Sequence, residues 1–200
     1  MSPRRAAAQA DGKSLEDLLI EACEKIIATD GTATLTVRAI ARTAGVADGV
    51  LYNHFSDKEE LVARALLRFV RRMEEGLGEL PVAGEGTVAG NLHRHLEFGL
   101  ALHHMIVPAF SGLLGQPKVL RKFAEITESS GLWRDRLRTY LAGERELGRL
   151  RPESEVDAAA ALLVGHCHAT VLGRLFPHAE AGAAPSTESI VRTVLAGIAP

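Results

Sequence analysis

Two hundred residues with 46% apolar and 24% charged side chains describe one globular domain, or a small domain joined to a larger one, and exclude a disordered or fibrous chain. Twenty-three basic side chains meet 25 acidic ones, so the overall charge specifies neither a nucleic-acid partner nor an acidic substrate, and any such reading must come from local residues. The longest apolar or small run, Ala158 to Gly165, falls well short of the roughly 20 residues that a bilayer span needs, and no apolar leader core follows Arg4 and Arg5; a cytoplasmic protein is expected.

Residues 1–13, with Pro3, Arg4, Arg5, Gly12 and Lys13 and no apolar periodicity, are expected to form a mobile basic arm. From Ser14 the pattern changes. Leu15, Leu18, Leu19, Ala22, Cys23, Ile26 and Ile27 share one face of a helix, which Ser14 and Asp17 would cap and Gly31 would close. Thr36 suits the N-cap of a short second helix with Val37, Ile40, Ala41 and Ala44 along its apolar stripe, and Gly45 then permits a positive-φ turn. A third short helix is expected from about Ala47 to His54, anchored by Leu51 and Phe55. Asp57 with Glu60 marks another cap, and the apolar positions from Leu61 to Leu77 predict a long fourth helix.

Leu80 to Gly90, with Pro81 and several glycines, reads as a loop. Further helices are expected at about 88–106, 108–115, 118–149 with a break at 129–131, 153–176 and 186–198. No strand alternation or repeat is visible, so the fold class is all-α. Cys23 and Cys167 are too few for a disulfide framework or thiolate metal site and are expected to be buried as small hydrophobes.

The string Thr36-Val37-Arg38-Ala39-Ile40-Ala41, Ala44-Gly45-Val46, Gly49-Val50-Leu51-Tyr52-Asn53-His54-Phe55 and Lys58-Glu59-Glu60-Leu61 resembles the DNA-binding domain of TetR-type transcriptional repressors over roughly residues 14–66. The resemblance implies a helix-turn-helix domain at 14–56, followed at 57–200 by a helical domain that binds an effector and dimerises. It implies phosphate contacts from Thr36, Tyr52, His54 and Lys58, and positions near base edges for Val37, Arg38, Asp48, Gly49, Val50 and Asn53. Ala47 stands where the family often has serine, so the third helix lacks a hydroxyl cap. Residues 14–66 hold nine acidic against five basic side chains, which predicts modest, salt-sensitive DNA binding.

In the remainder, Ala161, Gly165, Ala169 and Gly173 recur every four residues. This small-residue stripe allows a close helix approach and makes a candidate dimer seam with Ile190, Val191, Val194 and Leu195 of the last helix. The other reading is that both faces are buried within one subunit. Paired histidines at 93/95, 103/104 and 166/168 raise a metal-binding or enzymatic helical bundle as the alternative function. Residues two apart on a helix point in divergent directions, however, and no catalytic motif is present. His103 reads either as a satisfied core histidine or as the polar anchor of an effector cavity lined by Phe98, Leu102, Met105, Phe110 and Trp133. No cofactor is expected. The expected protein is a homodimeric, non-enzymatic regulator that binds palindromic double-stranded operator DNA and is released by a small molecule.

Overall fold

The computed structural model describes residues 13–128, 130–175 and 185–198, and every regular element among them is helical. The expected arm, Lys13 apart, lies outside the described residues. Two compact units emerge: one holds the chain to Met73 together with Pro108–Ser130, the other Glu74–Val107 together with the chain from Gly131 onward.

In the first unit, α1 (Leu15–Asp30) begins at a reciprocal cap. Ser14 Oγ accepts from the Asp17 amide at 3.0 Å and the Asp17 carboxylate accepts from the Ser14 amide at 3.2 Å. Gly31, at φ 72°, ends it. A 3-10 turn at Thr32–Thr34, which the sequence did not announce, leads to α2 (Val37–Ala44), capped by Thr36 Oγ1 on the Ala39 amide at 3.1 Å. Gly45 takes the left-handed conformation at φ 73°, ψ 35°, and its amide reaches the Ala41 and Arg42 carbonyls, which turns the chain sharply. The expected third helix is a 3-10 turn, Asp48–Asn53, and Ala47 supplies no side-chain cap bond to it. The expected fourth helix is α3 (Lys58–Glu75). Its cap is displaced by one residue: Asp57 Oδ1 accepts from the Glu60 amide at 2.8 Å, whereas the Glu60 carboxylate accepts from the Ser56 amide at 2.9 Å. α1 packs on α2, and α2 on the 48–53 turn, around buried Leu19, Cys23, Ile27, Ile40, Leu51 and Phe55.

α4 runs Val88–Phe110 straight through Pro108, where a break was expected; a proline in the last turn forfeits only one late backbone bond. The 108–115 segment accordingly becomes the end of α4 and a 3-10 turn at Ser111–Leu113. That turn packs on the 32–34 turn: Thr32 Oγ1 donates to the Ala109 carbonyl at 2.8 Å, and a Cβ on Gly112 would sit 2.7 Å from Thr32 Oγ1, so only glycine fits. α5 (Pro117–Thr127) completes the unit.

The second unit continues with α6 (Trp133–Glu146), α7 (Val156–Leu175) and α8 (Thr187–Ile198), α7 packing on both α6 and α8. Glu74 caps α6 from a distance. One carboxylate oxygen accepts from the Trp133 amide at 2.6 Å and the other from Arg136 at 2.9 Å, placing an anion at the helix N-terminus. Ser154 Oγ and the Arg151 amide both donate to the Ile198 carbonyl at the end of α8.

Two stretches, Val88–Leu113 and Val156–Arg174, do reach the length and apolar content of a membrane span, with a third of each buried. The run counted from the sequence was shorter because it stopped at each polar residue, whereas helix-wide hydropathy averages over them. α4 nevertheless carries Asn91, His93, Arg94, His95, Glu97, His103 and His104, and buried Asn91, His95 and His103 are packed in a protein core.

Candidate nucleic-acid interface

Why the 48–53 turn presents an outward flank follows from its two anchors. Leu51 and Phe55 are buried at 0% and 3% exposure and hold one side of the turn against the rest of the unit. The intervening side chains must then point outward. Tyr52 is 60% exposed, and Asp48, Gly49, Asn53 and His54 are exposed as well, with Val50 half-buried. From α2, Thr36 and Arg38 are exposed and Val37 is half-buried. Lys58, in the first turn of α3, is half-buried and donates to the Leu35 carbonyl at 3.5 Å, which holds its ammonium beside the start of α2. Thr36 Oγ1 is occupied as an acceptor by the Ala39 amide, and its hydroxyl proton can still be given to an anion. None of the ten residues singled out from the sequence is packed away.

Arg42 was overlooked in the sequence. It is exposed in the last turn of α2, four residues after Arg38, and so extends the same basic face. The i, i+4 spacing was the available signal.

Much of the acidic surplus of this region is met by ion pairs, from Arg64 within residues 14–66 and from Lys13, Arg68 and Arg72 beyond them. Arg64 contacts Glu16 and Glu60 at 2.6 Å each; Arg68 contacts Glu21 at 3.0 Å, Glu24 at 3.4 Å and Asp17 at 3.8 Å. Arg72 reaches Glu24 at 3.1 Å and Lys13 reaches Glu21 at 2.8 Å. The acids of α1 therefore face the arginines of α3, and Glu24 is buried among them at 4% exposure. The hydrogen bond from Ser14 also holds the Asp17 carboxyl below its usual range. With the α1 carboxylates engaged elsewhere, Arg38, Arg42 and Lys58, opposed by the exposed Asp48, set the local field of the flank.

In the second unit the structure brings together Phe98, Leu102, His103 and Trp133, all buried; Met105 is 37% exposed, and Phe110 belongs to the first unit, ring to ring with Phe123 at 5.2 Å. Trp133 lies across Gly99 so closely that a Cβ there would meet its ring at 2.2 Å, and its edge meets His103, with ring centroids 5.6 Å apart. His103 Nδ1 donates to the Gly99 carbonyl at 2.6 Å, and burial pushes its pKa down to about 4. His95, at 1% exposure against the Tyr140 ring, is lowered to about 4 for the same reason. An open cleft of about 300 Å³ lies elsewhere, lined by Ala89, His93, Glu188, Val191, Arg192 and Leu195.

On α7, Ala161, Gly165, Ala169 and Gly173 are all exposed. They continue into Ala158, Leu162 and Leu172, so an apolar stripe runs along the outside of the helix. On α8, by contrast, Val191 and Val194 are buried within the chain, whereas Ile190 and Leu195 are half-buried. Cys23 and Cys167 are free and buried, and burial pushes both thiols up to about 12. Among the described residues no group of three or more His, Cys, Asp or Glu side chains could hold a metal ion.

An anchored, outward-facing turn after a left-handed glycine, on a three-helix support, defines a helix-turn-helix domain, here followed by an all-helical unit. Residues 19–65 match the family model described as bacterial regulatory proteins, tetR family. Over these residues the chain is similar to the TetR family. It is 31% identical over 93 residues to the fatty acid metabolism regulator protein of Bacillus subtilis, a span covering 44% of this chain and 47% of that one. It is 39% identical over 57 residues, 28% of each chain, to the HTH-type transcriptional repressor KstR2 of Mycolicibacterium smegmatis. The chain thus spans less than half the length of these curated relatives. The crystal structure of FadR from Bacillus subtilis in complex with stearoyl-CoA shares the fold, with a TM-score of 0.58 and 21% identity over 90% of this chain and 98% of that one.

Proposed function

We propose that this chain is a sequence-specific, DNA-binding transcriptional regulator, a cytoplasmic homodimeric repressor without enzymatic activity that a small-molecule effector releases from its operator. The observation that carries the reading is the exposed flank from Thr36 to Lys58, centred on Tyr52, within the segment that matches the family model. A short helical turn of this kind fits a major groove about 12 Å wide. Thr36, Tyr52, His54 and Lys58 fix the register on phosphates, while Val37, Arg38, Asp48, Gly49, Val50 and Asn53 meet base edges. The domain boundaries proposed are the arm at 1–13, the helix-turn-helix at 14–56 and the effector and dimerisation domain from 57.

The exposed stripe on α7 supports dimerisation, and in this reading Ile190 and Leu195 of α8 extend the seam while Val191 and Val194 support it from within. Two-fold symmetry sets two such turns about 34–36 Å apart, the spacing of successive major grooves on a palindrome. Phe98, Leu102, His103 and Trp133 form the proposed effector core, with Met105 at its edge; Phe110, grouped with them from the sequence, lies in the first unit. The effector acts only insofar as it favours the dimer geometry that misaligns the two turns, α3 being the lever.

Selection of DNA fragments from a random pool by the purified chain tests this reading. Recovery of a palindrome bound as a dimer-sized complex is the expected result, and absence of any such complex, even at low salt, overturns it.

A further inference from the structure

The second unit contains a cluster of basic side chains that the proposed DNA interface does not use. Two come from one turn of α4, His103 and His104, and two from α7, His168 and Arg174. The rings of His103 and His168 stand 4.6 Å apart at 68°. His104 Nδ1 donates to the Leu100 carbonyl at 2.7 Å, which leaves Nε2 as the acceptor of a hydrogen bond from Arg174. Only one of the guanidinium's five donors is used in that bond. Among the described residues no carboxylate is paired with this group; the charged or chargeable neighbours that act on His103 are His168 and His104, and both oppose its protonation. Arg174 is the permanent charge of this group, and the imidazoles beside it add ring donors and chargeable positions with no carboxylate among them, an arrangement that suits an anion.

The apolar surroundings define the rest of the ligand. His103 touches the edge of Trp133, and buried Leu102 directly precedes it on α4, with buried Phe98 one turn before Leu102. We infer that the Arg174–His104–His168–His103 cluster binds the anionic head of an amphipathic effector whose apolar tail lies along Trp133, Leu102 and Phe98. This inference rests on the effector reading above and assigns the class of molecule. Arg174 supplies the permanent charge and planar donors, and His168 supplies a ring N–H. The Nδ1 bond to the Gly99 carbonyl leaves the lone pair of His103 on Nε2, so His103 joins the site as a donor only by taking up a proton with the anion. On the helical wheel of α7, His168 adjoins Ala161, Gly165 and Leu172 of the exposed stripe. An anion at the cluster therefore acts next to the proposed dimer seam.

Decanoate, with decanol and decylamine as uncharged and cationic partners of equal tail, tests the inference on the full chain. The sole tryptophan, Trp133, provides a fluorescence signal, and equilibrium dialysis a second measure of binding. Decanoate is expected to bind at least about tenfold more tightly than decanol, and decylamine more weakly than either. In Arg174→Gln, an exposed position whose change leaves the core intact, the decanoate preference should fall to about threefold or less, with decanol binding unchanged; His168→Gln should reduce it in the same direction. Equal affinity for decanoate and decanol, no decanoate binding, or a preference that survives both substitutions would each overturn the assignment. Operator binding by the ligand-free protein is measured separately. Loss of the DNA complex with decanoate selectivity intact counts against the regulator reading alone, and an intact DNA complex with no selectivity counts against this site alone.

Discussion

Tyr52 separates function from stability more cleanly than any other residue of the interface. At 60% exposure its ring contributes little to the core, so Tyr52→Phe should leave the unfolding midpoint within about 0.5 kcal/mol of the parent, yet weaken operator binding by about fivefold through loss of one phosphate hydrogen bond. Fluorescence anisotropy with the selected operator reads the affinity, and urea denaturation reads the stability. Lys58→Ala should instead weaken specific and non-specific DNA alike and reduce the salt slope by about one. The buried histidines are a residue-scale matter of the opposite kind. Burial lowers His95 and His103 to about 4, below the 6.5 of an exposed imidazole. Between these values the unfolded chain binds more protons than the folded one, so the stability these groups contribute is complete above about pH 6.5 and is lost progressively as pH falls towards 4, by up to roughly 3 kcal/mol apiece. Urea midpoints measured from pH 7 to pH 4.5 should fall accordingly, and His103→Gln should flatten the slope; an unchanged slope in that variant would mean that His103 is not the titrating group.

At the scale of helices, what the sequence displayed and what it hid have separate physical causes. Apolar periodicity and cap residues are local, so Ser14, Thr36, Gly31 and Gly45 are found doing what their positions suggested. Where two local conformations lie close in energy the sequence did not choose. The 48–53 segment, without a cap at Ala47 and with Gly49 inside it, closes as 3-10, and α4 runs on through Pro108 because only its final turn is affected. Long-range partners were invisible. Counting charges over residues 14–66 suggested an acidic domain, but Arg68 and Arg72 lie just past that window and meet Glu21 and Glu24 only once α1 and α3 pack. Most of these pairs are exposed and worth little singly. Glu24 is the exception: Arg68→Ala with Arg72→Ala leaves its buried carboxylate uncompensated, and a loss of about 2–3 kcal/mol in urea denaturation is expected, largely recovered by adding Glu24→Gln. Nor does the local pattern single out Gly99, which is the seat of Trp133.

At the scale of the whole molecule, the proposed dimer makes the strongest demand on α7. Among the described residues nothing explains why Gly165 and Gly173 are glycine: a Cβ at either position would meet no atom within 4 Å, and both cost helix stability relative to alanine. Their neighbours Ala158, Ala161, Leu162, Ala169 and Leu172 are exposed too, so the stripe is apolar, unpartnered among the described residues and composed of residues that suit close helix approach. A second copy of the same helix resolves both oddities. Because the site is open in the single chain, Gly165→Glu is a probe of the interface alone. Helical content by circular dichroism should be unchanged, since glutamate is the better helix former, while sedimentation should shift from dimer to monomer as two carboxylates are forced together across the two-fold axis. Operator affinity should fall by two or more orders of magnitude, because each half-site is then bound without the effective concentration that the second turn supplies. A Gly165→Glu protein that remains dimeric would move the seam off α7, while leaving the Tyr52 flank and its predictions untouched.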